Sequence, residues 1–553
     1  MGTHTPGPSR RSFLFTVAAG AGALAAPSVL AGCESDSAKK TGGTSTSELA
    51  KILPAYVPST LVPPDIPSAN GSDPGYLKYP TDQITTVPEA PGAGGSYTAI
   101  TPLWGAIPSA KGNKYYEAMN AAFGASLAMK PANGNTYGDV LPTLFTGDKL
   151  PDWIDIPSWN TTNLNFGSAV EAKFVDLTPF LSGDNVKKYP NLANVPSNAW
   201  QAGVWNGKLF GIPVYPSNVV LAGAIFYRQD MFEKAGIAEP KSADELFEAG
   251  KALTDPKKKV WGFDDLWTYL AQPFDIPFKW AIDSSDKLVH KYETEEIIQA
   301  LEFMRKIVAA ELIHPDALAG NTNETKQRFT SGKIAMYGDG TGAWGGMVEQ
   351  QDLAGDTVFK MQAMQPFTAS GTGTPRYALG NGASMFSYLN KKLNKAQIEE
   401  CLRLANYIAA PFGSAEYTLV NFGPADVTHT MEANGPKLTK TGEKQVATTY
   451  QFLATAPSVT SKPGYEDWVR TYCDWHAKAG ATAYKPVFYG MNITEPQQYS
   501  SIGQPVEDTI TDVCRNRKSI DDFKKAVDTW RRNGGDALRD FYTGIREQYG
   551  TGQ

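Results

Sequence analysis

The chain has 553 residues, with 51 Lys and Arg against 57 Asp and Glu, a net charge of −6. Apolar residues make up 42%, charged residues 20% and aromatics 11%, which is globular usage with material for a large core and several domains. An acidic chain lacks the basic face that phosphate neutralisation requires, so nucleic acid is not an expected partner. Beyond the front end, no apolar run approaches the roughly 20 residues needed to span a bilayer.

The front end carries the most specific local signal. Ser9-Arg10-Arg11-Ser12-Phe13-Leu14 precedes an apolar stretch from Phe13 to Ala31, the layout of a signal peptide. The arginine pair followed by Ser-Phe-Leu resembles a twin-arginine signal, although Phe15 stands where that pattern usually carries Lys. The stretch ends in Leu30-Ala31-Gly32-Cys33, which resembles a bacterial lipobox, and acyl chains on Cys33 would hold the protein at the outer membrane face by hydrocarbon burial. Residues 1–32 are therefore expected to be a signal and Cys33 the lipidation site. Removing Cys33 leaves Cys401, Cys473 and Cys514 at long, irregular spacing. Cys401 falls on the stripe Ile398, Cys401, Leu402, Ala405, Ile408 and reads as a buried thiol; one disulfide among the three stays open.

Residues 33–95 are expected to form a lipidated tether and a Pro-rich spacer. Residues 34–48 are Ser, Thr, Gly, Lys and acids, a flexible composition. Nine prolines between Pro54 and Pro91 favour extended chain, while Tyr56, Tyr76 and Tyr79 imply that part of it lies against a folded body. From Ser96 short apolar strands alternate with amphipathic helices, the pattern of an α/β protein. Tyr97–Leu103, Trp153–Ile156 and Ala224–Tyr227 read as strands, and Lys114–Leu127 as a helix. Ser242-Ala-Asp-Glu245 is a capping box opening a helix, Thr294–Leu312 has Ile297, Leu301, Met304 and Val308 on one face, and Asn394 caps another helix. Asp521-Asp522 opens a helix striped by Phe523, Val527 and Trp530 and stopped at Gly534-Gly535.

Catalytic signals are sparse. There is no HExxH, GxSxG elbow, Walker loop or EF-hand loop, and His290, His314, His429 and His476 share no ligand spacing. Gly340-Thr-Gly342-Ala-Trp-Gly345 fits GxGxxG but lacks the downstream acid of a dinucleotide site. No catalytic residue, cofactor or metal is expected. Asp264-Asp265 alone keeps open a secreted carbohydrate-active enzyme, a glycosidase or lyase, whose paired carboxylates face each other across a cleft.

A series of short motifs gives the sequence its resemblance. Gly147-Asp-Lys-Leu-Pro-Asp-Trp153, Val170–Phe180 with its Asp-Leu-Thr-Pro, Trp205-Asn-Gly-Lys-Leu-Phe-Gly-Ile-Pro213, Phe226–Gly236, Phe329-Thr-Ser-Gly-Lys-Ile-Ala-Met336 and Trp530–Phe541 occur in the order found in extracellular solute-binding proteins of the family 1 type. The chain resembles the long lipoprotein subgroup of that family. The resemblance implies a type II periplasmic-binding-protein fold, with two α/β lobes joined by crossover strands around a ligand cleft. It implies lobe one at 96–216 plus 362–420 and lobe two at 217–361 plus 421–553. It also implies a substrate-binding lipoprotein of an ABC-type sugar importer, whose ATPase and membrane permease subunits are separate polypeptides.

Twelve Trp, 25 Tyr and 25 Phe supply more rings than a purely polar ligand requires. Sugar rings pack their C–H faces on aromatic planes while their hydroxyls need amides, carboxylates and guanidinia, so an oligosaccharide is the expected ligand. Trp159 and Trp344 follow strands among small polar neighbours and are expected to stack on the sugar from opposite lobes, with Asp339 accepting from paired hydroxyls. Further candidates are Tyr215, Asn218, Trp267, Arg376, Asn381 and Tyr499, whereas Trp205, Trp261 and Trp530 read as core.

Overall fold

A computed structural model describes residues 43–552 apart from 60, 148, 162 and 163. The signal stretch and Cys33 lie outside the described residues. Two sheets organise the chain. The first has the spatial order Ser126–Met129, Ser96–Ile100, Trp153–Pro157, Met385–Leu389, Ile212–Val214. Its first three members are mutually parallel, and Met385–Leu389 runs antiparallel to both of its neighbours. Four carboxyl ends therefore share one edge. The second sheet has the order Trp261–Phe263, Ile334–Asp339, Ala224–Arg228, Met361–Ala363, and only Ala224–Arg228 runs against the rest.

Each sheet anchors its own lobe. Around the first, Trp153, Ile154, Leu402 and Tyr450 join one large apolar cluster. Around the second, Phe263, Leu301, Met336 and Phe523 form another. Val220–Leu221 and Tyr377–Gly380 pair antiparallel where the chain crosses between them, with Ala483–Tyr484 added on the far side.

The crossings fall later than the expected boundaries at 362 and 421. Met361–Ala363 pairs with Ala224–Arg228, so residues 362–367 still belong to the second lobe, where Met364 and Phe367 are buried. Val420, Tyr450, Leu453 and Ala454 pack in the first lobe rather than the second. Apolar periodicity locates a strand but not the sheet it joins, and that pairing decides the boundary.

Local expectations fare well where caps are explicit. Ser242 accepts from the Glu245 N–H, and Glu295–Ala309 buries Ile297, Leu301 and Met304. Asn394 with Gln397, and Ser519 with Asp522, close reciprocal capping boxes. The expected 114–127 helix ends at Phe123, because Gly124 takes the left-handed conformation (φ +62°) and Ser126–Met129 becomes a strand. Gly534-Gly535 kinks the chain instead of stopping it: Gly534 adopts φ +128° and the helix Asp536–Tyr549 follows at once. Cys401, Cys473 and Cys514 are buried free thiols.

The segment before the first strand is folded onto the body. Thr46–Ile52 is a helix opened by a Ser45–Glu48 capping box, so the expected tether does not extend to residue 48. Its Ile52 enters the first lobe's core. The Pro-rich stretch then ties both lobes: the Ala55 and Val57 N–H groups donate to the Gly183 and Ala193 carbonyls of the first at 3.0 and 2.8 Å, and the Asn70 amide donates to the Ala477 carbonyl of the helix packed on the second sheet. Gly75–Tyr76 pairs with Thr460–Ser461, and Thr86 and Val87 N–H groups donate to Glu416. Tyr76 and Tyr79 are buried against Phe412, while Tyr56 is exposed.

Candidate functional site

In open α/β sheets ligands bind beyond the carboxyl ends of the strands. On the first lobe that edge presents aromatic rings to solvent. Trp159 follows Trp153–Pro157 in a short 3₁₀ turn, Trp104 follows Pro102–Leu103, and Tyr215 follows Ile212–Val214. Their exposures are 55%, 44% and 38%, unusual for rings of this size and incompatible with a core role. The rings form one chain: Trp104 lies 6.2 Å from Trp159 and 5.6 Å from Phe452, and Phe452 lies 5.8 Å from Tyr215. Gly134 sits directly against the Trp104 indole, where a Cβ would approach to 2.5 Å, so the loop can hold that ring only with glycine there.

Polar groups surround the rings. The Tyr215 hydroxyl donates to Gln451 Oε1 at 2.6 Å, and the Gln451 amide donates to Asn421 Oδ1 at 2.9 Å. Beneath the platform, Asp155 occupies the middle of the Trp153–Pro157 strand. It is fully buried, and both carboxyl oxygens are without a hydrogen-bond partner among the described residues. Desolvation holds its acid proton on, well above the usual carboxylate range.

The second lobe's edge is built differently. Asp339 ends its strand; Oδ1 accepts from the Gly340 N–H at 2.8 Å and Oδ2 pairs with Lys326 at 3.2 Å. Asp264 is buried, its Oδ2 held by Arg328 Nε at 2.8 Å and its Oδ1 by Thr325. Its neighbour Asp265 is exposed and accepts from the Trp267 N–H. Asp264 is thus half of a buried ion pair, and its two carboxylate oxygens are committed to protein donors.

Trp344 corrects the expectation placed on it. The strand runs to Asp339 and Trp344 lies in the first turn of the helix Ala343–Leu353, 1% exposed. Phe226, Tyr472, Trp468 and Trp475 surround its indole at 5.7–6.4 Å. The glycines around it produce a helix start, not an exposed loop, and no ring face is left for a ligand.

The remaining candidates spread over the molecule. Asn218 lies at the first crossover and lines a pocket with Tyr56, Asp73 and Phe412 of the packed N-terminal segment and the first lobe. There Asp73 accepts from the Ser217 hydroxyl at 2.6 Å, its N–H donates to His476 Nδ1, and burial pushes its carboxyl up to about 6. Asn381 accepts from the Gly490 N–H at the second crossover. Arg376 pairs with Asp275 at 3.1 Å, its guanidinium 4.1 Å over the Tyr484 ring. Trp267 is half-buried against the second lobe's core, and Tyr499 packs with the Trp280–Tyr542 cluster beside Gly534. Trp205 and Trp530 are buried and Trp261 is partly so. The structure therefore joins Trp159 and Tyr215 through two rings, Trp104 and Phe452, that the sequence reading passed over.

A family model for bacterial extracellular solute-binding proteins matches residues 110–386, half of the chain. The chain belongs to this family. The fold is the two-lobed type II periplasmic-binding-protein fold. It is similar to the S. pneumoniae ABC-transporter substrate-binding protein FusA, solved in complex with kestose, with a TM-score of 0.57 at 14% identity over 82% of this chain and 99% of that one. Among curated relatives, the polygalacturonan/rhamnogalacturonan-binding protein YtcQ of Bacillus subtilis (strain 168) is 23% identical over 256 residues, 44% of this chain and 49% of YtcQ. Lipoprotein LipO of the same organism is 22% identical over 222 residues, 37% of this chain and 42% of LipO. The chain spans about half the length of the curated relatives it matches. In a solute-binding protein the strand-exit edges of the two lobes flank the cleft, so the Trp104–Trp159–Phe452–Tyr215 platform is the candidate ligand face.

Proposed function

We propose that this protein is a lipid-anchored, non-enzymatic solute-binding protein that captures an oligosaccharide outside the cell and delivers it to the permease subunits of an ABC importer. The observation that carries the ligand class is the row of solvent-exposed rings Trp159, Trp104 and Tyr215, joined from beneath by the buried Phe452 and bordered by the Gln451 and Asn421 amides. Flat apolar faces beside neutral amides match a sugar's C–H faces and hydroxyls. Lobe closure about the crossover strands would bury the ligand between the platform and the Asp339 edge. The relatives support the same class, since FusA is described with kestose and YtcQ as polygalacturonan/rhamnogalacturonan-binding.

Anchoring rests on Leu30-Ala31-Gly32-Cys33 after the apolar run, with LipO bearing the name lipoprotein. Export is assigned to the Arg10–Arg11 signal. Against the enzyme alternative, Asp264 is held in a buried ion pair with Arg328 and does not face Asp265 across a cleft. Incubation with an oligosaccharide panel tests the whole reading. Saturable one-to-one binding without products is expected; turnover would make the protein an enzyme. Cys33→Ala should release the protein into the medium, and a wild type without acyl mass would remove the anchor.

A further inference from the structure

The oligosaccharide reading leaves open whether the ligand carries charge, and the two edges of the cleft bear on that. The stretches that carry the first lobe's face contain no Asp, Glu, Lys or Arg over residues 100–110, 131–138, 157–161, 209–216 and 446–461. In a chain with 20% charged residues, a stretch such as 446–461 would ordinarily hold about three. These same stretches supply Trp104, Gly134, Trp159, Tyr215, Gln451 and Phe452, the platform and its supports. They are separate in sequence and meet only at the folded edge.

The acid beneath that face follows the same pattern. Asp155 is fully buried without a hydrogen-bond partner among the described residues, an environment that favours the neutral acid. On the opposing edge charge is present but already committed. Lys326 lies 3.2 Å from Asp339, and at the crossover Arg376 lies 3.1 Å from Asp275 with its guanidinium over Tyr484. Asp265 adds a further exposed carboxylate at the exit of Trp261–Phe263.

A uronate-bearing sugar needs a cation for each carboxylate it brings, typically a guanidinium in a two-pronged contact. Here it would meet first-lobe loops without charge, while Lys326 and Arg376 are already held by resident carboxylates. Transferring an ionised group into such a cleft without a partner is strongly unfavourable. We propose, resting on the oligosaccharide reading, that the ligand is an uncharged oligosaccharide and that oligouronides are excluded by this charge arrangement. The inference separates the protein from its polygalacturonan-binding relative on the chemistry of its own loops.

The test uses the full chain, calorimetry and thermal shift, with two probe sets. Malto-, cello-, xylo-, manno-, galacto- and fructo-oligosaccharides form the neutral set; oligogalacturonides and alginate oligomers form the acidic one. Each set is run at about 0.05 and 0.5 M NaCl, across which screening of exposed charges deepens several-fold. The expected result is a binder in the neutral set whose Kd changes less than about twofold with salt, and no saturable binding in the acidic set. An oligouronide that binds saturably and loses affinity with salt overturns the inference while leaving the oligosaccharide reading intact. Failure of both sets to bind or to raise the melting temperature overturns the oligosaccharide reading itself, and the inference with it.

Discussion

Trp159 and Trp344 satisfy the same sequence criterion, an indole just past a strand among small residues, yet the fold treats them oppositely. Trp159 is 55% exposed on the first lobe and touches Trp104, whereas Trp344 is 1% exposed and enclosed by aromatic rings. The buried aspartates reverse the contrast: Asp155 in the first lobe is unpartnered among the described residues and kept neutral, while Asp264 in the second is ion-paired to Arg328. One lobe exposes rings and suppresses charge; the other buries rings and pairs its charges. The difference shows that a strand exit specifies where a side chain leaves the sheet, and the following element specifies what it meets. After Pro157 comes a single 3₁₀ turn, and after Asp339 comes an eleven-residue helix that packs Trp344 back onto the sheet.

The largest expected effect breaks the comparison on the second lobe. Trp344→Ala removes a fully buried indole and should cost about 3–5 kcal/mol of stability, seen as a lower melting temperature or denaturant midpoint. Affinity of the protein that remains folded should be unchanged. Weakened binding in a variant of normal stability would return Trp344 to the cleft.

The next effect concerns Asp155. Its folded-state acid keeps the proton at pH values where the unfolded chain, with a carboxyl near pH 4, has released it. The folded state then binds more protons, so stability falls as pH rises above about 4, by up to roughly 1.4 kcal/mol per pH unit while the difference is complete. This contribution is fully present below the unfolded value and is lost as pH climbs towards the folded one. Asp155→Asn keeps the shape and abolishes the titration, and denaturant melts between pH 5 and 8 should flatten accordingly. An unchanged slope in the variant would mean that Asp155 is ionised in the folded state.

How much of this was legible in sequence follows from the same particulars. Caps at Ser242 and Asn394 fixed helix starts because one side chain and one backbone N–H decide them locally. The motif series pointed to two lobes, and the fold has them. What escaped depends on partners distant in sequence. Residues 421–455 return to the first lobe because Tyr450 packs on Tyr115 and Phe123, some 330 residues earlier. Phe452 carried no local mark, although Trp104, followed by Gly105 after an apolar strand, met the criterion that selected Trp159. The Pro-rich stretch read as a spacer because its hydrogen bonds go to Gly183, Ala193 and Glu416, none of them near in sequence.

On the first lobe, Trp159→Ala and Trp104→Ala should each leave the melting temperature nearly unchanged, since both rings are more than two-fifths exposed. Stacking on such a ring is worth about 1–3 kcal/mol, so each variant should lose roughly tenfold to hundredfold in affinity by calorimetry. The double variant should fall short of additivity, because the indoles are neighbours at 6.2 Å and each orders the other. Full affinity in both single variants would take the ligand off this platform.

The smallest effect sharpens the charged side of the comparison. Lys326 is 56% exposed and its contact to Asp339 spans 3.2 Å, the setting in which ion pairs contribute about 0–1 kcal/mol. Lys326→Gln should therefore lower stability by less than about 1 kcal/mol. Asp339 keeps two anchors, the Gly340 N–H on Oδ1 at 2.8 Å and the Tyr337 hydroxyl on Oδ2 at 3.3 Å, so the carboxylate stays at the strand end. Affinity for an uncharged oligosaccharide should accordingly change by less than about threefold, or roughly 0.7 kcal/mol. A larger loss, especially one that also appears on raising salt in the wild type, would make the Lys326 ammonium a ligand contact. The cleft would then have a charged wall facing a neutral one, and the ligand would have to carry an anionic group at one end to match it.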